Sequence, residues 1–361
     1  MHVLIMAGGT GGHIFPALAV AKKLQQQGHT VHWLGSRAGM EAGITAANAI
    51  PIHFISIGGI RGKGLATKLL APWRLYVALL QSLVIMLKFK PDVVLGMGGY
   101  VTGPAGLAAW ILRKRLVIHE QNAIAGMTNQ ILARFSYRVL EGFPRSFPSK
   151  ITAQLTGNPV REDFAKLLPP EKRAPRVSNT GLKILVVGGS GGARTLNNTL
   201  PQVLKTWPTD KLKPTLWHQA GKKQISEARQ AYQSIGIDLQ ASNVKLVDFI
   251  QDMPNAFMWA DIVVCRAGAL TIAEIAAAGV ASILIPYPYA VDDHQTKNAE
   301  YLTQANAAII IQERDLTVDK LRELLVDFTD NPVKLSNMAR AAYTLAQPKA
   351  LDLVVAGCVG A

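Results

Sequence analysis

One short arrangement occurs twice in this chain, and it restricts the fold more than any other feature. An apolar run (Val3, Leu4, Ile5) leads through Gly8-Gly9-Thr10-Gly11-Gly12 into an amphipathic segment, and "ILVVGGSGGARTLNNTL" repeats the pattern with Gly188 standing 180 positions after Gly8 in 361 residues. A second echo follows in each half. "PDVVLGMGGYVTGPAGLAAW" and "ADIVVCRAGALTIAEIAAAG" both read as strand, glycine-bearing turn and small-residue helix, and they lead into the apolar strands "RLVIHEQN" and "ASILIPYP". Apolar strands that alternate with helices make parallel sheets covered on both faces. The expected fold class is therefore α/β, with two facing Rossmann-like domains, each on a parallel sheet, and an interdomain cleft. Asn158-Pro159 interrupts the pattern, and the proline- and charge-rich "LPPEKRAPRVSNTG" follows it as an exposed loop. This places an N-terminal domain at 1–158, a C-terminal domain at 159–345, and a segment at 346–361 able to pack back on the N-terminal domain.

Composition narrows the partners. Hydrophobic residues make up 49% and charged residues 17%, which describes packed globular domains. Uncharged stretches at 42–60 and 93–112 are broken by glycine and turn residues, unlike the roughly 20 continuous apolar residues of a membrane span. The first basic side chain is Lys22, so no basic start precedes an apolar signal segment, and a cytoplasmic location is expected. Cys265 and Cys358 are the only cysteines, too few for a disulfide framework. The formal charge of +14 favours an anionic partner: phosphorylated substrate, anionic lipid or nucleic acid. Without zinc-finger spacing, an RNP-like aromatic run or a long basic block, nucleic acid is not expected. In "KLLAPWRLYVALLQSLVIMLKFK" the apolar stretch between Arg74 and Lys88 is too short to span a bilayer. It reads either as a core helix or as a membrane-facing patch of Trp73, Leu75, Tyr76 and Leu79 rimmed by Lys68, Arg74 and Lys88.

The glycine loops point to phosphate, although neither common template fits. A dinucleotide fingerprint begun at Gly9 needs glycine where Ile14 stands, and no Gly-Lys-Ser/Thr occurs. Pro16 suits the first turn of a helix and Gly28 its C-terminal cap, which places a helix N-terminus, with its N–H groups and positive dipole end, at the first loop. Taken alone, such loops also serve as tight strand-to-helix turns. A nicotinamide enzyme is the first rival reading. Against it, "TVHWLGSRAG" ends without the acidic residue that holds an adenosine ribose, and Arg37 suits only a phosphorylated cofactor. Thr271 and Glu274 have capping-box spacing, so Glu274 is either a helix cap or a carboxylate for ribose hydroxyls. His119, Glu120, Gln121 and Asn122 follow a buried strand where ligands of such folds bind, without the His-Glu-x-x-His spacing of zinc. No Asp-x-Asp occurs, and no metal is expected. His13 reads either as a helix-start residue bonding to backbone or phosphate or, with a reference pKa of about 6.5 for its side chain, as a base for proton abstraction, with Glu120 as the alternative base.

"GGTGGHIFPALA", "GIRGKG", "KPDVVLGMGGYVTGP", "HEQNAIAG", "GNPVR", "GGSGGA" and "CRAGALTIAEI" stand in one order across nearly the whole chain. In these motifs the chain resembles the MurG family, the GT-B N-acetylglucosaminyltransferases of peptidoglycan synthesis. The resemblance implies inverting transfer of GlcNAc from UDP-GlcNAc to the 4-hydroxyl of MurNAc in undecaprenyl-pyrophosphoryl-MurNAc-pentapeptide (lipid I), giving lipid II, with no cofactor. It implies a peripheral enzyme on the cytoplasmic face of the plasma membrane, meeting an anionic membrane surface and cell-wall synthesis proteins. Thr10, Gly11 and Gly12 then lie where the acceptor's pyrophosphate and the donor's phosphates meet, and Ser190 lies on the UDP side. Ile250 resembles the residue that meets uracil through its backbone. Ala269, Leu270, Thr271 and Glu274 resemble the donor-binding turn, with Glu274 on the ribose. Gln295 resembles the reader of the GlcNAc hydroxyls, and Asn122 and Arg161 match donor-contacting positions. Gly191 departs from the pattern, since many relatives carry glutamine there. An NADP-dependent oxidoreductase and a non-catalytic nucleotide or lipid-phosphate binding module stand as the second and third readings.

Overall fold

The structure is a computed structural model that describes residues 1–58, 70–173, 181–189, 191–240 and 243–360. The chain forms two compact units, one from Met1–Arg161 with Gln347–Ala361 and the other from Glu162–Ala346.

The first unit holds seven strands: β1 (His2–Met6), β2 (Thr30–Gly35), β3 (Ile52–Phe54), β4 (Val93–Gly96), β5 (Arg115–Glu120), β6 (Arg138–Glu141) and β7 (Gln154–Leu155). They pair in parallel in the order β3-β2-β1-β4-β5-β6-β7. β1 and β4 are buried along almost their whole length because helices cover both faces, which is why they read as unbroken apolar runs. One face packs Val3, Ile5, Val93 and Leu95 against Ile14, Ala17 and Val20 of the helix Gly11–Gln26. The C-terminal helix Ala350–Val359 adds Val354, Val355 and Cys358 to the same cluster. Arg138 Nη1 donates to the Ala356 carbonyl at 3.3 Å, tying that helix to β6.

The second unit holds β8 (Lys183–Val187), β9 (Thr215–Gln219), β10 (Val244–Val247), β11 (Ile262–Cys265), β12 (Ala281–Leu284) and β13 (Ala308–Ile310). Their order is β10-β9-β8-β11-β12-β13, again all parallel. In both sheets the chain winds outward from the first strand in one direction and then restarts on its other side. The switch points, β1/β4 and β8/β11, are where such sheets open a crevice beyond the strand ends.

The helix Ala71–Phe89 lies on the other face of the first sheet, burying Ala78, Ser82 and Met86. It is long and apolar enough to cross a membrane by length and composition alone. Its outer face leaves Trp73 64%, Val84 50% and Leu87 59% exposed, with Leu75 and Tyr76 beside them. Arg74 and Lys88 are also exposed. Leu79 does not belong to that face: it packs partly buried against the core, one helical step from Ala78, while Leu80 faces outward. Lys68 lies outside the described residues.

Candidate active site

In the first unit four segments meet at the C-terminal ends of the strands. The first glycine loop follows β1. Trp33 Nε1 donates to the Ala7 carbonyl at 2.9 Å and pins the loop's start. Gly9 takes φ +96° against the Tyr100 ring, and Thr10, in extended conformation, precedes the helix Gly11–Gln26. Among the described residues, the N–H groups of Gly9, Thr10, Gly11 and Gly12 have no hydrogen-bond partner. N–H groups left open at a helix N-terminus suit an anion. The second segment, Met97–Tyr100 after β4, packs on this loop so closely that a Cβ at Gly99 (φ +86°) would collide with the Gly8 carbonyl. Arg161 brings its guanidinium 6.0 Å from the centre of the Phe15 ring, beside the first turn of the same helix.

The segment after β5 carries the polar quartet. Glu120, buried, accepts four hydrogen bonds: from Asn122 N (2.9 Å) and Nδ2 (3.2 Å), Gly126 N (3.1 Å) and Asn129 Nδ2 (2.8 Å). Both its oxygens hold the 121–126 loop in shape, an arrangement suited to positioning rather than to taking a proton. His13 is half-buried, with Nδ1 2.8 Å from Gln121 Oε1. Gln121 Nε2 lies 2.9 Å from His119 Nδ1, and His119 Nε2 lies 3.0 Å from the Gly157 carbonyl. Burial holds the His119 pKa down to about 4, so its ring is neutral at pH 7. Asn158 Nδ2 donates to the Gln121 carbonyl at 2.9 Å. The "GNP" stretch, read from the sequence as a boundary and as part of the "GNPVR" motif, thus braces the loop after β5.

In the second unit, the loop after β8 is held from outside. Gly189 N–H donates to Gln219 Oε1 (3.2 Å), and Gln219 Nε2 donates back to the Gly189 carbonyl (3.0 Å). Gln224 Nε2 donates to the Gly191 carbonyl at 3.1 Å, and Asn197 Nδ2 donates to Gln224 Oε1 at 3.0 Å. His218, its pKa held down to about 3 by burial, lies 3.0 Å from Asn197 Oδ1 and 2.8 Å from the Tyr232 hydroxyl. The following helix begins only at Arg194. Ser190 lies outside the described residues.

After β11, the helix Ala269–Ala278 starts with Gly268 as its N-cap and has no side-chain cap. The first N–H with a backbone partner is that of Ile272, bonded to the Gly268 carbonyl at 3.0 Å. Those of Ala269, Leu270 and Thr271 form a second helix N-terminus suited to a diphosphate. Thr271 is therefore inside the first turn, and the capping-box alternative for Thr271 and Glu274 is not realised. Glu274 is buried, and its charge adds to the burial that pushes the Cys265 thiol up. Ile250 buries its side chain after β10. Gln295 Oε1 accepts from Tyr287 N–H at 2.9 Å, which commits the amide's acceptor end. Asp292 (φ +54°) and Asp293 (φ +50°) precede the helix His294–Thr303 that carries Gln295, both left-handed without being glycine, a strain typical of functional turns.

Two Rossmann-like units, each with a helix N-terminus open beyond its strand ends, define the class of GT-B glycosyltransferases. Known proteins agree. The N-terminal domain model of glycosyltransferase family 28 matches residues 3–141 and its C-terminal domain model matches residues 183–354. The chain belongs to glycosyltransferase family 28. A relative from Marinobacter nauticus, named UDP-N-acetylglucosamine–N-acetylmuramyl-(pentapeptide) pyrophosphoryl-undecaprenol N-acetylglucosamine transferase, is 49% identical over 358 residues, covering 99% of this chain and 97% of its own. One of the same name from Nitrosococcus oceani is 48% identical over 360 residues, covering 99% and 98%. The crystal structure of Acinetobacter baumannii MurG is 40% identical, covers 98% of each chain and superposes with a TM-score of 0.81.

Proposed function

We propose that this chain transfers GlcNAc from UDP-GlcNAc to the 4-hydroxyl of MurNAc in undecaprenyl-pyrophosphoryl-MurNAc-pentapeptide, with inversion, converting lipid I to lipid II. The single observation that carries this reading is the match, at 48–49% identity over 99% of the chain, to transferases named for that donor and that acceptor. The geometry supports it. In the second unit, the Ala269–Thr271 N–H groups receive the donor's diphosphate and Glu274 the ribose hydroxyls. Ile250 meets the uracil through its backbone, and Gln295 donates to a sugar hydroxyl. In the first unit, Thr10, Gly11 and Gly12 receive the acceptor's pyrophosphate, with Arg161 and the Asn122 loop beside them. His13 takes the proton of the attacking hydroxyl, and negative charge that develops on the departing UDP is met by N–H dipoles already in place.

A lipid-carried acceptor has to be presented from a bilayer. The exposed Trp73, Tyr76 and Leu87, with Arg74 and Lys88 next to them in the chain, suit docking on an anionic membrane surface, with the helix lying on it. This supports a peripheral enzyme on the cytoplasmic face of the plasma membrane. The experiment is transfer of labelled sugar from UDP-GlcNAc to detergent-dispersed lipid I by the purified chain. The expected product is a β-linked, lipid-borne disaccharide, one per UDP released. Release of free GlcNAc, or unchanged lipid I with donor bound, would overturn the assignment.

A further inference from the structure

We propose that Gln121 and His119 are positioning residues that hold His13 as the tautomer protonated on Nδ1, leaving Nε2 as the proton acceptor. The inference rests on the reading of His13 as the base and adds what makes it one.

The polarity of the chain of hydrogen bonds follows from its far end. A carbonyl oxygen only accepts, so His119 Nε2, 3.0 Å from the Gly157 oxygen, carries the proton and donates. His119 is fully buried and neutral, its pKa held near 4 by burial, so its Nδ1 is a bare lone pair. That lone pair, at 2.9 Å, and the His119 carbonyl, at 3.1 Å, both face the same end of the Gln121 amide. This end must be the NH2, because the reversed amide would set its oxygen against two acceptors. The Gln121 oxygen therefore points at His13 Nδ1, 2.8 Å away, and accepts its hydrogen. In the neutral imidazole the other nitrogen, Nε2, is then unprotonated, and among the described residues it has no hydrogen-bond partner. Gly98 closes the arrangement: at φ +92° it lies against the His13 ring, where a Cβ would come within 2.6 Å of Nδ1. One rotamer and one tautomer are selected together. No proton travels along the chain, since an amide between two imidazoles fixes direction without relaying charge.

The test is long-range 15N–1H correlation on the full chain labelled in histidine nitrogen, with turnover and UDP-GlcNAc affinity measured on the same preparations. The expected spectrum shows His13 protonated on Nδ1 and His119 on Nε2. In Gln121→Met, which keeps the side chain's length and removes the amide's hydrogen bonds to both histidines, His13 is expected to shift towards the Nε2–H form. Turnover should fall about 10- to 100-fold, the scale for losing a group that orients a functional histidine, with donor affinity within about twofold. A His13 protonated on Nε2 in the unmodified protein would overturn the proposal without any variant having to fold. So would an unchanged tautomer and turnover in Gln121→Met. Absence of GlcNAc transfer by the unmodified protein, with the Nδ1–H form present, would count against the functional reading alone.

Discussion

The first and second glycine loops differ in sequence by one residue, Thr10 against Ser190, yet they are built differently. After β1 the glycines end at a helix that starts at Gly11, and four successive N–H groups are left without intramolecular partners among the described residues. After β8 the loop's backbone is engaged by Gln219 and Gln224, and its helix is delayed to Arg194. In the second unit the open helix N-terminus stands instead after β11, at Ala269. A Gly-Gly-x-Gly-Gly string therefore specifies a tight exit from a strand. Whether it holds an anion is decided by what the neighbouring strands bring to its backbone.

Four outcomes would break or sharpen this contrast. The largest concerns the first loop's helix. His13→Ala is expected to lower turnover about 10²- to 10⁴-fold, the range for a general base, while calorimetry shows UDP-GlcNAc affinity little changed. A fall of only a few-fold would place the base elsewhere.

Next comes acid. Burial depresses the folded pKa of His119 to about 4 and of His218 to about 3, against about 6.5 unfolded. Below pH 6.5 the unfolded chain binds more protons than the folded one. Stability present above 6.5 is therefore lost as pH falls towards 4 in the first unit and towards 3 in the second. From pH 7 to 5 each histidine should cost about 2 kcal/mol in urea unfolding. Flat stability over that range would mean that neither ring is held neutral, and the supports of both sites would need another account.

A third, smaller effect tests the helix after β11. Glu274→Ala should weaken UDP-GlcNAc binding by about 1–3 kcal/mol, the scale for unmet buried polar partners, with the fold kept. Unchanged affinity in a calorimetric titration would remove Glu274 from the donor site.

Much of this was legible in the sequence because it is local. The repeated strand, turn and helix disclosed both sheets, and the polar run after β5 marked a site, since neither needs knowledge of distant contacts. What remained hidden depends on partners far along the chain. Glu120 read as a possible base until four donors, the farthest at Asn129, occupied both its oxygens. The polarity of Gln121 depends on a carbonyl at Gly157. The Thr271–Glu274 spacing mimicked a cap because nothing in it reveals that the helix starts at Ala269, with Gly268 as its N-cap. Leu79 and Leu80 are equally apolar, and only the packed face of the helix separates them.

The contrast between the loops is tested most directly by calorimetric unfolding of a matched pair, Gly12→Ala and Gly192→Ala, with turnover recorded on each. Gly12 is helical, and a Cβ there meets only Thr10 Oγ1 at 3.7 Å, so alanine should leave the unfolding temperature within about 2 °C while crowding the anion site and lowering turnover. Gly192 has φ +77°, and a Cβ there would collide with the Ala220 carbonyl. Alanine at that position should cost about 3 kcal/mol, lowering the unfolding temperature by about 6–12 °C. A destabilised Gly12→Ala beside a stable Gly192→Ala would contradict the account, because it would make the first loop the structural turn and the second the open one.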